Sequence, residues 1–356
     1  MLKWFDTNYH YLVPEFTEKT TFELRNSKVF DEFQEALALG IKTKPVLISP
    51  VSFLYLGKSK GDFDKYSLFP QLLEQFILVV QKLSSLGAEW VQIDEPILVL
   101  DLSDVEKRLI EKTFQALKSA VSTKILLATY FDDLGANAEL TCNLAVDAIH
   151  IDMTRGDSNL DTLVNQLLPT SKVLSLGCID GRNIWKARYK SVLQKIAPAV
   201  DLFPKERIFV APSCSLIHSP LTSDTETFKE VKPCHFKRDL APDELRQVVS
   251  FALQKLEEIV VLQNLLLYKN SALIEENERQ WEKFLQIPQL NNKFVEQQIA
   301  KLKPQDFQRE HEFSIRKKLQ RAIHRLPAFP TTTIGSLPQT GTVSTQHTFL
   351  TYYSGY

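Results

Sequence analysis

Asp94 and Glu95 stand together in "QIDEP" at the end of an apolar run, and adjacent carboxyls are a simple candidate for general acid–base chemistry. In an extended strand, neighbouring side chains point to opposite faces, so at most one of the two faces a shared site. The blander expectation is a carboxylate held by backbone amides or by a nearby arginine. Polar residues end the other apolar runs in the same way: Asn8 and His10, Ser49 and Ser52, Thr129 and Tyr130, Asp152 with Arg155, Asp180 with Arg182, and Ser213 with Ser215. For the two Asp–Arg sets, an ion pair tying one loop to the next is the plainer reading.

Cys214, His218, Cys234 and His235 include two zinc-ligand types, and "CSLIH" sets a cysteine and a histidine four apart. Without paired-knuckle spacing, these residues are assigned no metal. His10, His150 and His324 read as hydrogen-bonded structural histidines, and Trp4, Trp90 and Trp185 as packing residues. No Ser-His-Asp arrangement, nucleophile elbow or phosphate-binding glycine loop can be placed.

The elements that must position these groups are short and regular. Seven β-rich apolar runs start at Lys3, Lys44, Glu89, Lys124, Asp147, Lys172 and Arg207, and segments of helical periodicity lie between them. "FPQLLEQFILVVQKLSSLG" ends in a glycine C-cap signal, and "SDVEKRLIEKTFQALKSAV" opens on a serine N-cap signal. Near-continuous apolar strands alternating with helices predict a parallel sheet covered on both faces, and a repeat of about 34 residues favours a (β/α)8 barrel of the TIM type. Seven strands leave that barrel incomplete. No GxGxxG follows a strand, which argues against a dinucleotide-binding sheet. After the seventh run, a helical stretch from Pro242 carries Leu245, Val249, Ala252, Leu256 and Ile259 as one stripe that should pack on the barrel. A charged, then proline-rich segment reads as a linker to "TTTIGSLPQT".

The 356 residues carry 42 Lys+Arg against 43 Asp+Glu, so no broad positive field favours nucleic acid or an anionic membrane. No apolar run approaches the ~20 residues needed to span a bilayer, and the opening residues lack the order of a secretory signal, so a cytoplasmic location is expected. The four cysteines, Cys142, Cys178, Cys214 and Cys234, lack CxxC spacing and read as reduced, buried thiols.

The ordered series "KWFDTNYHYLVPEF", "TKPVLISPVSFLYLGK", "EWVQIDEPILVLDL", "LLATYFDDLG", "IHIDMTRG", "LSLGCIDGRNIW", "VAPSCSLIHSP" and "FPTTTIGSLPQT" resembles cobalamin-independent methionine synthase. The resemblance implies methyl transfer from 5-methyltetrahydrofolate, carrying a polyglutamate tail, to homocysteine in methionine biosynthesis. It implies two face-to-face (β/α)8 barrels, with zinc in the second holding homocysteine as a thiolate, and no cobalamin. Residues 1–303 are then an incomplete N-terminal barrel with appended helices and 304–330 the inter-barrel linker. Residues 331–340 are the first strand of a catalytic barrel otherwise missing, and 341–356 an unrelated tail.

On this reading the chain is truncated at both ends, the zinc ligands are absent from it, and whether it is itself an enzyme stays open. Lys3 matches the family lysine that helps hold the folate polyglutamate tail. Ile334, Gly335 and Ser336 match the segment that contacts homocysteine once the second barrel is present. Alternatives are a folyl-polyglutamate-binding or docking module for a separately encoded catalytic barrel, or a non-functional truncated product.

Overall fold

The computed structural model describes residues 1–156, 160–226, 242–287 and 290–331. The chain divides into two units, Met1–Asn291 and Asn292–Tyr356.

In the first unit the strands are β1 (Leu2–Lys3), β2 (His10–Tyr11), β3 (Glu15–Phe16), β4 (Val46–Ile48), β5 (Lys58–Ser59), β6 (Trp90–Asp94), β7 (Lys124–Ala128), β8 (Ala148–Asp152), β9 (Val173–Ile179) and β10 (Ile208–Pro212). Its helices are α1 (Lys28–Ala38), α2 (Pro50–Leu56), α3 (Phe69–Ser85), α4 (Asp104–Ala120), α5 (Ala138–Asn143), α6 (Leu160–Leu167), α7 (Tyr189–Val200), α8 (Pro242–Val248), α9 (Ala252–Tyr268) and α10 (Ser271–Leu285). The expected parallel α/β sheet is present, with six strands in the order β10-β9-β8-β7-β6-β4.

Alternation along these strands builds two apolar layers. Val91, Ile93, Ile125, Leu127, Ile149, Ile151, Leu174 and Leu176 join the main core with the helices, whereas Leu126, Ala128 and Ala148 form a separate cluster with Trp90, Val173 and Phe209. Trp90 on β6 and Phe209 on β10 meet edge-on, with ring centroids 5.6 Å apart. Three strands lie between them, so a flat sheet at ~4.8 Å per strand would hold them about 19 Å apart. The sheet is therefore curled about an inner lumen, as a barrel wall is.

Local signals place the covering helices. Ser103 caps α4 by accepting from Glu106 N while Glu106 Oε2 accepts from Ser103 N at 2.8 Å, a reciprocal box that satisfies two end amides. Gly87, with φ +93°, turns the chain out of α3 where a side chain would be strained.

Two expectations need correction in detail. The first of the seven runs does not enter the parallel sheet, because its own turn residues fold it back: Thr7 N donates to Trp4 O at 3.1 Å, and β1 pairs antiparallel with β2. The helix from Pro242 is also not continuous. It breaks at Val249, which bridges to Trp185, and Phe251 is extended (φ −101°, ψ −172°). The break resets the helical phase, so Leu256 is 49% exposed while Lys255, Glu258, Leu262 and Leu265 are buried.

The second unit contains α11 (Lys293–Ala300) and α12 (Phe313–His324), neither with a buried residue.

Candidate functional site

The carboxyl ends of the curled strands bring most of the polar residues singled out above to one rim. Asp94 shares the lumen face of β6 with Trp90 and Gln92. Its carboxylate accepts from Gln92 Nε2 at 2.8 Å and from the Tyr130 hydroxyl at 3.1 Å. Burial raises the Asp94 pKa, and these two bonds and the Lys44 charge oppose the rise. Tyr130 is raised by its own burial and then by the Asp94 charge, so it stays a neutral donor.

Glu95 points the other way, into the core beneath α2, and is fully buried. The Ser52 hydroxyl donates to Glu95 Oε1, while Oε2 has no hydrogen-bond partner. Desolvation lifts its pKa to about 7, against the bonds from Ser49 and Ser52. The adjacent carboxyls therefore do not form a pair.

His150 lies on β8 inside the lumen. Its Nδ1 is 3.0 Å from Ser175 Oγ and its Nε2 3.4 Å from Ser213 O. Desolvation lowers its pKa to about 4, which keeps the ring neutral. Gly177 makes room for this contact, since a Cβ there would stand 2.8 Å from His150 Cε1 and 2.6 Å from Ile151 O. Sequence reasoning passed over Gly177, whose one signal is a glycine inside an apolar strand.

Asp152 is a clasp for the rim. It accepts from Phe131 N at 3.0 Å, Thr154 N at 2.8 Å, Thr154 Oγ1 at 2.7 Å and Arg155 N at 3.1 Å. Asp180 likewise accepts from Arg182 N and from Asn183 Nδ2, each at 2.8 Å. The expected Asp152–Arg155 and Asp180–Arg182 side-chain ion pairs are replaced, because backbone and amide donors already occupy those carboxylates. Both guanidinium groups turn to Asp6 instead, with Arg182 Nη1 at 2.7 Å from Oδ1 and Arg155 Nη1 at 3.7 Å from Oδ2.

The hairpin bearing Asp6 is tied to the rim at several points. Tyr9 and Tyr11 donate their hydroxyls to Ile217 O at 3.0 Å and Leu56 O at 2.9 Å. Trp4 and Phe5 pack on Tyr130, Phe131 and Cys214. Phe131 is held at φ +86°, an uncommon conformation for a bulky residue, with its N–H on Asp152 and the Arg182 guanidinium 5.0 Å from its ring centroid. Lys3, Asn8 and His10 are exposed on this hairpin.

Cys142, Cys178 and Cys214 are free and buried. Burial pushes the Cys214 thiol up to about 12, so at neutral pH it stays protonated. His218 packs against Tyr9 and Phe131, with centroids 4.9 and 5.7 Å away. Among the described residues no three His, Cys, Asp or Glu side chains converge as metal ligands. Cys234, His235, Ile334, Gly335 and Ser336 lie outside the described residues.

The matching family model and the curated relatives point to one family. The model of the family described as "Cobalamin-independent synthase, N-terminal domain" matches residues 1–203. A 5-methyltetrahydropteroyltriglutamate–homocysteine methyltransferase from Salinibacter ruber is 41% identical over 344 residues, covering 96% of this chain and 43% of that protein. One of the same name from Flavobacterium johnsoniae is 43% identical over 347 residues, covering 96% and 44%. The chain thus spans less than half the length of these relatives. A solved B12-independent methionine synthase from Shewanella, in complex with selenomethionine, aligns with a TM-score of 0.45 at 14% identity, over 56% of this chain and 63% of that one.

Proposed function

The chain belongs to the cobalamin-independent synthase family through its N-terminal domain, and from that premise we propose that it serves methyl transfer from 5-methyltetrahydropteroyltriglutamate to homocysteine, with residues 1–303 supporting the donor and not the reacting centre. The observation that carries this reading is 41% identity, across 96% of the chain, to a protein named for that reaction.

The part assigned to this chain is to hold the donor's glutamate tail. Lys3 is exposed on β1, opposite His10. An ammonium there would meet the tail's carboxylates in charge-assisted hydrogen bonds. Ile334, Gly335 and Ser336 are assigned to homocysteine, in concert with a complementary half. Residues 1–303 act as the incomplete barrel with its helices, 304–330 as linker, and 331–340 as the start of the catalytic barrel, followed by the unrelated tail 341–356. A cytoplasmic setting suits these substrates, and no described helix is long and apolar enough to cross a membrane. Zinc belongs to the complementary half.

The test is calorimetric titration of the purified chain with the triglutamate and monoglutamate forms of the donor. The triglutamate should bind more tightly, and Lys3→Gln should weaken it about tenfold, the loss of one charge-assisted contact. Equal affinity for the two forms would remove the tail-holding role. The chain alone should show no homocysteine methylation, and turnover without a complementary half would overturn the division of labour.

A second reading, a docking module for a separate catalytic barrel, is favoured by the apolar residues of the second unit. Phe294 is 67% exposed, Phe313 66% and Ile323 73%. Co-expression with the complementary half of a relative should then give a stable complex, and failure to co-purify would dismiss it.

A further inference from the structure

The two sides of α12 differ in chemistry. At 3.6 residues per turn, Ile315, Leu319, Ala322 and Ile323 share one arc about 100° wide. Arg316 and Lys318 border that arc on its two sides, and Lys317, Arg321 and His324 lie opposite it. No residue of the helix is buried, and Leu326 and Phe329 just beyond its end are exposed as well.

Charge says what could cover this face. Residues 313–331 contain five Lys or Arg and no Asp or Glu, whereas the whole chain, with 42 basic and 43 acidic residues, is nearly neutral. The positive field is therefore local to the helix and its end, and at physiological salt it reaches only about 8 Å. An aliphatic arc flanked by cations is complemented by a surface that offers apolar contact and negative charge together. Anionic lipid headgroups over acyl chains do so. A protein groove is the poorer match, because the aromatic anchors that dominate such contacts are missing from the arc. Phe313 lies on the other side of the helix, where Arg316 and Lys317 each stand 5.8 Å from its ring centroid.

We propose that α12 docks on an anionic lipid surface. The aliphatic arc rests at the boundary between headgroups and acyl chains, and Arg316 and Lys318 extend along its flanks to the phosphates. The 12 residues of the helix rise about 18 Å against a hydrocarbon core of about 30 Å, so the helix lies along the surface and does not cross it. The proposal uses residues of the second unit alone and stands independently of the methyl-transfer reading.

The test is sedimentation of the full chain with vesicles of phosphatidylcholine and with vesicles of equal parts phosphatidylcholine and phosphatidylglycerol, against a control without vesicles. The chain should pellet with the mixed vesicles at least tenfold more strongly than with the neutral ones, and added salt should release it. Lys318→Gln should lower the partition coefficient about fivefold and Leu319→Gln about tenfold, whereas Lys19→Gln, on the first unit, should leave it unchanged. Since neither helix position is buried, both variants should keep the parent's urea midpoint. No preference for the mixed vesicles, or a preference that survives either helix variant or falls equally with Lys19→Gln, would overturn the proposal and leave the face to a protein partner.

Discussion

Arg182 and Asp6, 176 positions apart in sequence, meet at 2.7 Å and join the loop after β9 to the N-terminal hairpin. The contact is asymmetric: the Arg182 side chain is 14% exposed and that of Asp6 56%. The guanidinium also lies against the Phe131 ring, so one cation ties the hairpin, the β9 loop and the strained residue after Tyr130 into a single rim.

Asp6→Ala should therefore destabilise the chain by about 1 kcal/mol, since a half-solvated pair is worth little but its loss leaves a largely buried cation unpaired. Arg155 provides the contrast, at 3.7 Å and 42% exposed. In double-mutant cycles followed by urea denaturation, Asp6 should couple more strongly to Arg182 than to Arg155. Equal coupling energies would mean that the Arg182 contact has no special part in holding the hairpin.

The sequence made some of this legible and hid the rest for physical reasons. β6 to β10 are near-continuous apolar runs because both faces are covered, and the α4 cap announces itself as Ser103 followed by Glu106. The α/β sheet could be read from these alone. The hairpin at residues 2–11 could not, because its turn sits inside an apolar run that scores as one strand. The break at Val249 was hidden for a related reason: its backbone bonds go to a distant loop, with Ser250 N on Ile184 O at 2.8 Å. At the rim, residue types were visible but partners were not. Nothing in "QIDEP" tells that Glu95 faces a helix or that Asp94 meets Tyr130.

Burial of Lys255 illustrates how the phase shift in α9 found polar partners. Its Nζ donates to Asn183 Oδ1 at 3.1 Å and Trp185 O at 3.0 Å, and Glu258 on the same face accepts from Ala187 N at 3.0 Å. Desolvation lowers the lysine pKa and raises that of Glu258, each opposed by the other's charge. Lys255→Met should cost about 3 kcal/mol, because it strips two acceptors and leaves Glu258 without its counter-charge. Adding Glu258→Gln should recover part of that loss in the urea midpoint. A double variant less stable than the sum of the two singles would show that the pair is not coupled in this way.

Glu95 gives the chain a defined pH dependence. Its folded pKa of about 7 stands above the ordinary value of 4.5, so the folded state holds a proton that the unfolded state releases. Below pH 4.5 both states are protonated and the carboxyl has no differential effect. As pH rises from there towards 7, the unfolded state is increasingly favoured, and above 7 the loss levels off at about 3 kcal/mol. Glu95→Gln keeps the shape and an acceptor for Ser52 but cannot ionise. The variant should match the parent in urea midpoint near pH 4.5 and exceed it progressively up to pH 8, where the gap is widest. A stability difference between variant and parent that does not change with pH would mean that Glu95 ionises in the folded chain as easily as it does in water.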